Sequence, residues 1–340
     1  QIMTYGEESG GSSALPGGNI VAPARRRRCA HPRPSRQWAE MEREALARLI
    51  LDQLPRFRSR LYLADAEALA QLLRRSPMAE VMSGDYAWSL CFEPAFVASL
   101  CWEGFLPICS ELGGNGAPGL FVLMPKLHTH RCVLEPSAMH IPRKVRKRAS
   151  AYRLTVGQAF EAVVDGCAAQ HRPSWLFPPL RAALSALSAP SSLRGVGGAT
   201  PCFVTFELWT RPPDGCTEPA QLVAGDLGCV VGRSYTSFSG FHTASGSGSV
   251  QLALTGALLQ RAGFGWWDLG QEHGYKSGLG AAAVPRSQFL RTFRRLRAER
   301  NRLAEVVGPG GDASEASALP PRAASAEAAA AAAAADGKAP

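Results

Sequence analysis

The second half of the chain predicts an α/β sandwich with a mixed sheet. Three observations carry that expectation. Residues 202–210 alternate apolar and polar side chains as a strand does, and 221–232 and 234–241 read as two further strands across a Gly232-Arg233 turn. A helical stripe of Val250, Ala253, Leu254, Ala257 and Leu258 then leads through Gly263 into the apolar segment 264–269. Strand, strand, strand, helix, strand, helix is the element order of a sheet covered by helices.

Composition sets the outer bounds. The chain has 340 residues, 46% hydrophobic and 19% charged, enough to bury a core and too apolar for wholesale disorder. No apolar run approaches the roughly 18 residues of a spanning helix, which excludes an integral membrane protein. The balance of 37 basic against 28 acidic residues gives a net charge of +9, which permits a polyanionic partner without naming one. Nine cysteines are scattered from Cys29 to Cys229 with no C-x-x-C pair, a pattern of free thiols in a reducing compartment. His128 and His130 would face the same way on a strand but have no carboxylate or thiol ligand near them in sequence, so no metal is expected.

Taken in order, residues 1–37 are rich in Gly, Ser, Pro and Arg, including the run Arg25 to Arg28, and read as a disordered leader or part of an organelle transit peptide. Residues 38–75 are helical in pattern: Leu46, Leu49, Ile50 and Leu54 share one face, and Leu69, Leu72 and Leu73 mark a second helix. Residues 84–135 alternate short apolar segments with Gly/Pro turns. From Arg143 to Arg153 there are six cations, Arg143, Lys144, Arg146, Lys147, Arg148 and Arg153, and no acid. Residues 185–200 read as a surface loop. Within it, Arg194 to Ala199 has the R-x-x-G-x-A spacing of a pyrophosphate loop, but such a loop needs a strand before it and a helix after it. Here a Ser/Pro loop precedes and a strand follows, so that reading is rejected. Ser247 or Ser249 is placed to cap the helix at 250–258. Pro285 opens a last helix with Phe289, Phe293 and Leu296 on one face and arginines over much of the rest. From 304 onward the chain reads as a low-complexity tail, ending in eight alanines, Ala328 to Ala335.

The stretch 140–180 (HIPRKVRKRASAYRLTVGQAFEAVVDGCAAQHRPSWLFPPL), followed by QLVAGDLGCVVGRSYTSFSGF at 221–241 and GFGWWDLGQEHGYKSGLGAAAVPRSQFL at 263–290, resembles the leucyl/phenylalanyl-tRNA–protein transferase family. The resemblance runs over about residues 84–297, and the wording is that of a divergent, eukaryotic-type member. It implies an acetyltransferase-like (GNAT-related) C-terminal domain at 140–303 with a mixed sheet, preceded by a small α/β domain at 38–139. It also implies transfer of Leu, Phe or a similar apolar residue from aminoacyl-tRNA to the N-terminal α-amine of acceptor proteins with basic or otherwise destabilising N-termini, feeding N-end-rule degradation in the cytoplasm, or in an organelle if the leader directs it there. Arginyl-type transfer, whose pocket would contain buried acids, and a tRNA-binding protein that has lost catalysis are the alternatives.

That chemistry needs no ATP, metal or other cofactor, because the aminoacyl ester is already activated. The protein aligns the amine with the carbonyl, helps remove a proton and stabilises the oxyanion. Asp268 matches the family's strand-end Asp and is expected to orient the amine or relay its proton. The bacterial pattern has Gln two residues later, where this chain has Gly270 with Gln271 next, and its Glu aligns with Phe238. Either Gln271 takes the family role or Tyr235, Tyr275 and Lys276 organise a different constellation. Trp175 matches a family Trp near the terminal adenosine and offers a stacking face. The helix stripe with Val250, Leu252 and Leu254 lies where the resemblance places the apolar acyl pocket, and Phe238 is a further candidate for substrate binding. Arg143, Lys144, Arg146, Lys147 and Arg148 are expected to meet tRNA phosphates, and Arg286 to make a structural or a phosphate contact.

Overall fold

The longest strands form where the sequence alternates or runs apolar. In the computed structural model, residues 42–319 are described apart from 78–80, 114–118, 189–192, 194–195, 197–199 and 213–217. Strands β5 (Cys202–Thr210), β6 (Leu222–Val231) and β7 (Ser234–His242) make an antiparallel run at the centre of a seven-stranded sheet. The remaining strands are β3 (His130–Leu134), β4 (Tyr152–Val156), β8 (Trp266–Asp268) and β9 (Ala282–Pro285), in the spatial order β4-β5-β6-β7-β8-β3-β9. Only β7 and β8 run parallel, which makes the sheet mixed. A parallel neighbour requires a crossover, and helix α7 (Ser247–Arg261) supplies it.

Each face of the sheet is covered. On one, Val250, Leu254 and Leu258 of α7 pack with Val230, Tyr235 and Trp267. On the other, α5 (Phe160–Gln170), α6 (Pro178–Ala186) and α9 (Arg286–Arg297) pack on Phe203, Leu227, Phe238 and Trp266. Helix α7 is buried nearly all round, so it carries almost no charge, whereas α9 buries Phe289, Leu290, Phe293 and Leu296 and turns Arg291 and Arg295 outward. Gly232 makes the β6–β7 turn at φ +55, and a Cβ there would lie 2.4 Å from the Leu296 carbonyl of α9. Only glycine allows both the turn and that approach.

The N-terminal part comprises α1 (Arg43–Gln53), α2 (Ala66–Arg75), α3 (Pro94–Trp102) and a hairpin of β1 (Leu106–Leu112) and β2 (Leu120–Lys126). Two expectations are corrected here. The boundary at 139/140 falls elsewhere, because β3 is an inner member of the large sheet, paired with both β8 and β9. The core below the sheet also runs without a break into Leu63, Phe96, Leu100 and Ile108. The tail expected from 304 is folded as far as 319. Helix α10 (Leu303–Val306) is followed by a bridge from Asp312 to Thr155, and Leu303, Ala313 and Ala316 are buried on the α7 side. A few apolar residues in a Gly/Ser background suffice when a helix face is waiting for them. Two smaller differences concern α7, whose N-cap is Gly246 at φ +75 with no side-chain cap from Ser247 or Ser249, and the loop at 194–199, most of which lies outside the described residues.

Candidate active site

The sheet opens at one place. β7 and β8 pair over three positions only, Ser234–Trp266, Tyr235–Trp267 and Thr236–Asp268. Beyond Thr236, β7 continues to His242 beside β6 alone. The chain after Asp268 instead follows β3: the Leu269 N–H donates to the Cys132 carbonyl, and the Cys132 N–H donates to the Gly270 carbonyl. Among the described residues, the edge of β7 from Ser237 onward therefore has no strand partner on the β8 side. Such an opening, at the C-terminal ends of a parallel pair, is where an α/β sheet exposes backbone and side chains to a ligand.

Two buried carboxylates flank it, on opposite faces. Asp268 ends β8 at 1% exposure. Its Oδ2 accepts from Arg131 Nη1 at 2.9 Å and Thr236 Oγ1 at 3.1 Å, and its Oδ1 accepts from the Gly270 N–H at 2.9 Å. Arg131 is itself fully buried, donates to the Gly104 carbonyl at 2.6 Å and lies over the Phe289 ring. Burial pushes the Asp268 carboxyl up and the Arg131 guanidinium down, and their mutual attraction opposes both shifts.

Asp226 lies in the middle of β6, on the α7 side. Its Oδ2 accepts from the Tyr235 hydroxyl at 2.7 Å and from Ser237 Oγ at 2.6 Å. Ser237 Oγ in turn accepts from Trp267 Nε1 at 2.8 Å. Gly228 makes room for this network: a Cβ there would meet the Tyr235 hydroxyl and the Thr236 carbonyl at 2.4 Å. No ion pair reaches Asp226 among the described residues, and burial pushes its carboxyl up to about 7 against the pull of the two hydroxyls. The Tyr235 phenol is driven well above its ordinary value by burial, with the Asp226 charge adding to it.

A loop closes the other side of the opening. Lys276, in the short helix α8 (Gly274–Gly278), is buried and donates to the Leu269 and Gln271 carbonyls, each at 2.6 Å. Burial lowers its ammonium to about 8, and Cys132, Asp268 and Asp226 each pull it back up. Tyr275 stands beside it, partly exposed, with its ring stacked on His273. Among the described residues no group of three His, Cys, Asp or Glu side chains is placed to hold a metal ion.

The structure gathers some of the expected residues and separates others. Asp268, Lys276 and Tyr235 surround the opening, but Tyr235 is a wholly buried donor to Asp226, with no access to a substrate. Gln271 is exposed on the loop and enters the site through its backbone carbonyl. The four residues expected to bind substrate, at the terminal adenosine or the acyl group, do not share a face of the sheet. Trp175 and Phe238 belong to the apolar cluster on the α5 and α9 face, and Val250 and Leu254 to the cluster under α7. Period-two alternation along β7, broken by a bulge near Ser237, sends Phe238 away from α7. Trp175 is 6% exposed, so the stacking face expected for adenosine is covered by core.

Among the basic residues, Arg143, Lys144, Lys147 and Arg148 of α4 (Arg143–Ala149) are exposed. Arg146 is half-buried and donates to the Ile141 carbonyl. Arg286 takes the structural of its two expected roles, and its phosphate-binding role is corrected. It is buried and gives its donors to the Met82, Gly84, Leu127 and His128 carbonyls and to Asp85, tying α9 to the N-terminal part. Asp226 was missed by the sequence reading, although a lone acid in the apolar run LVAGDLGCVV is a visible signal.

The sequence pattern of the family described as Leucyl/phenylalanyl-tRNA protein transferase matches residues 133–294, a span that contains α4, both carboxylates and the opening between them. A relative named leucyl/phenylalanyl-tRNA–protein transferase, from Nitratidesulfovibrio vulgaris (strain DP4), is 30% identical over 166 residues, covering 47% of this chain and 63% of its own. One of the same name from Ruegeria pomeroyi is 26% identical over 167 residues, covering 48% of this chain and 70% of its own. The chain thus spans a little under two thirds of the first relative's length. The crystal structure of FemX superposes with a TM-score of 0.35 at 10% identity, over 66% of this chain and 78% of that one. No helix among the described residues is long and apolar enough to cross a membrane.

Proposed function

We propose that this protein transfers an amino acid of the Leu/Phe type from aminoacyl-tRNA to the N-terminal α-amine of acceptor proteins. The observation that carries the reading is that the family match covers the opened sheet together with the basic helix beside it. Helix α4 packs against the start of α7, where Arg148 reaches Gly246 closely enough that a Cβ at that glycine would touch its guanidinium. Four exposed cations beside a helix N-terminus suit the phosphates of an acceptor stem. The aminoacyl end then reaches the opening between β7 and β8, where backbone and buried polar groups are on hand.

The fold is read as acetyltransferase-like, on the strength of three antiparallel strands, a crossover helix and one short parallel pair that separates. Transfer of an activated ester draws on no cofactor, and the acceptors are proteins whose exposed N-terminal residue marks them for degradation, in the cytoplasm. To test this, the protein is incubated with tRNA charged with labelled leucine, phenylalanine or arginine and peptides beginning with Arg, Lys, Asp or Glu. RNase-sensitive label in the peptide supports transfer, and the pair that works identifies the substrates. Tight tRNA binding with no label in any peptide contradicts the reading and leaves an RNA-binding protein.

A further inference from the structure

Ser237 stands at the apex of the opening, the first residue of β7 past its last pair with β8. It is half-buried, and its hydroxyl is fixed from both sides, donating to Asp226 Oδ2 at 2.6 Å and accepting from Trp267 Nε1 at 2.8 Å. Behind it, Asp226 is 4% exposed and receives hydrogen bonds only from uncharged hydroxyls among the described residues. Asp268 has other partners: both its oxygens are occupied, by the Arg131 guanidinium, the Thr236 hydroxyl and the Gly270 N–H. Asp226 is thus the carboxylate that a half-buried hydroxyl, Ser237 Oγ, links to the first position of β7 past its pairing with β8.

We propose that Ser237 and Asp226 form a proton relay for the transfer reaction, with Ser237 facing the reacting amine and Asp226 taking up the proton behind it. This rests on the aminoacyl-transfer reading of the same opening. As the neutral α-amine attacks the ester carbonyl carbon, the C–N bond forms and the carbonyl electron pair moves onto oxygen. An amine proton passes to Ser237 Oγ while the serine's own proton passes to the Asp226 carboxylate. The carbonyl re-forms, the ester C–O bond breaks, and the proton returns from Asp226 through Ser237 to the departing ribose oxygen. Nothing else is consumed, and Ser237 and Asp226 end as they began. Trp267 and Tyr235 are positioning residues, holding the serine and the carboxylate in line.

The titratable groups near Asp226 are Tyr235 on β7, Tyr275 and Lys276 on α8 and, across the sheet, Cys167 on α5. Of these only Lys276 favours the carboxylate by its charge, and burial outweighs it, so that the proton comes and goes at about 7. That value is matched to proton transfer near neutral pH.

The test compares Ser237→Ala, Ser237→Thr and Asp226→Asn with the unaltered protein in single-turnover transfer to a peptide, from about pH 5.5 to pH 8.5, with tRNA affinity measured alongside. Ser237→Ala and Asp226→Asn are expected to lower the rate by about 100-fold or more at neutral pH, with tRNA affinity changed less than about twofold. The rise in rate through the Asp226 ionisation is expected to vanish in Asp226→Asn, while the acceptor amine's own rise near about pH 8 stays. Ser237→Thr, which keeps the hydroxyl, is expected to recover most of the rate. Ser237→Ala at the unaltered rate, with the same pH profile, overturns the relay and leaves the transfer reading standing. Unaltered protein that transfers nothing from any charged tRNA overturns both. Should Asp226→Asn fail to fold, Ser237→Ala decides alone, since its side chain is small and lies at the edge of the opening.

Discussion

Single buried charges give this molecule its sharpest dependences. At Asp226 the folded carboxyl is raised to about 7 from an ordinary value of 3.8, so the folded protein holds a proton that the unfolded chain has lost. The stability tied to that proton is complete below about pH 4 and is lost as pH rises through 7. Asp226→Asn removes the dependence, and denaturant unfolding of the two proteins is expected to show the variant gaining on the unaltered protein between about pH 4 and pH 7. Parallel curves would contradict the buried, unpaired carboxyl. At Arg131 the sign is simpler. Arg131→Ala strands Asp268 inside the core and is expected to cost about 3–5 kcal/mol in the same measurement. Part of this was legible in sequence: Asp268 stands at the end of an apolar strand, and a lone acid interrupts β6. What sequence could not show is pairing. Arg131 and Asp268 are 137 positions apart, and only the β3–β8 register brings them to 2.9 Å.

Elements were legible where their pattern was long. β5, β6 and β7 lie within a residue or two of the expected spans, because nine or ten residues of alternation or apolar run leave little ambiguity. The short elements were not: β9 has four residues, mostly exposed, and β4 is an edge strand directly behind the basic patch. Helix α4 was visible as charge, yet its role depends on where it packs. Neutralising Arg143, Lys144, Lys147 and Arg148 to Gln is expected to weaken tRNA binding and to reduce the slope of log affinity against log salt by about 0.9 for each phosphate that is no longer neutralised. An unchanged slope would make α4 ordinary surface. Arg286 shows the reverse case, a basic residue whose donors are spent on the carbonyls of its own chain.

Across the whole molecule, the N-terminal part and the large sheet share one core, and β3 stitches them together. The family resemblance implied a division at 139/140, but a resemblance in sequence says nothing about which strands pair. The C-terminal segment extends the same lesson, since Leu303, Ala313 and Ala316 bury themselves against the α7 side. Ending the chain after Arg302 uncovers that surface and removes the Asp312–Thr155 bridge. A lowered thermal midpoint, by several degrees or more, is the expected result, and an unchanged midpoint would show that the segment contributes nothing. The proposed reaction at the opening between β7 and β8 joins an amino acid from tRNA to a protein N-terminus. Its most direct test is mass spectrometry of an acceptor peptide after incubation with charged tRNA. The expected product is a peptide heavier by one leucine or phenylalanine residue, with fragment ions placing it at the N-terminus. Peptides of unchanged mass with every charged tRNA would contradict it.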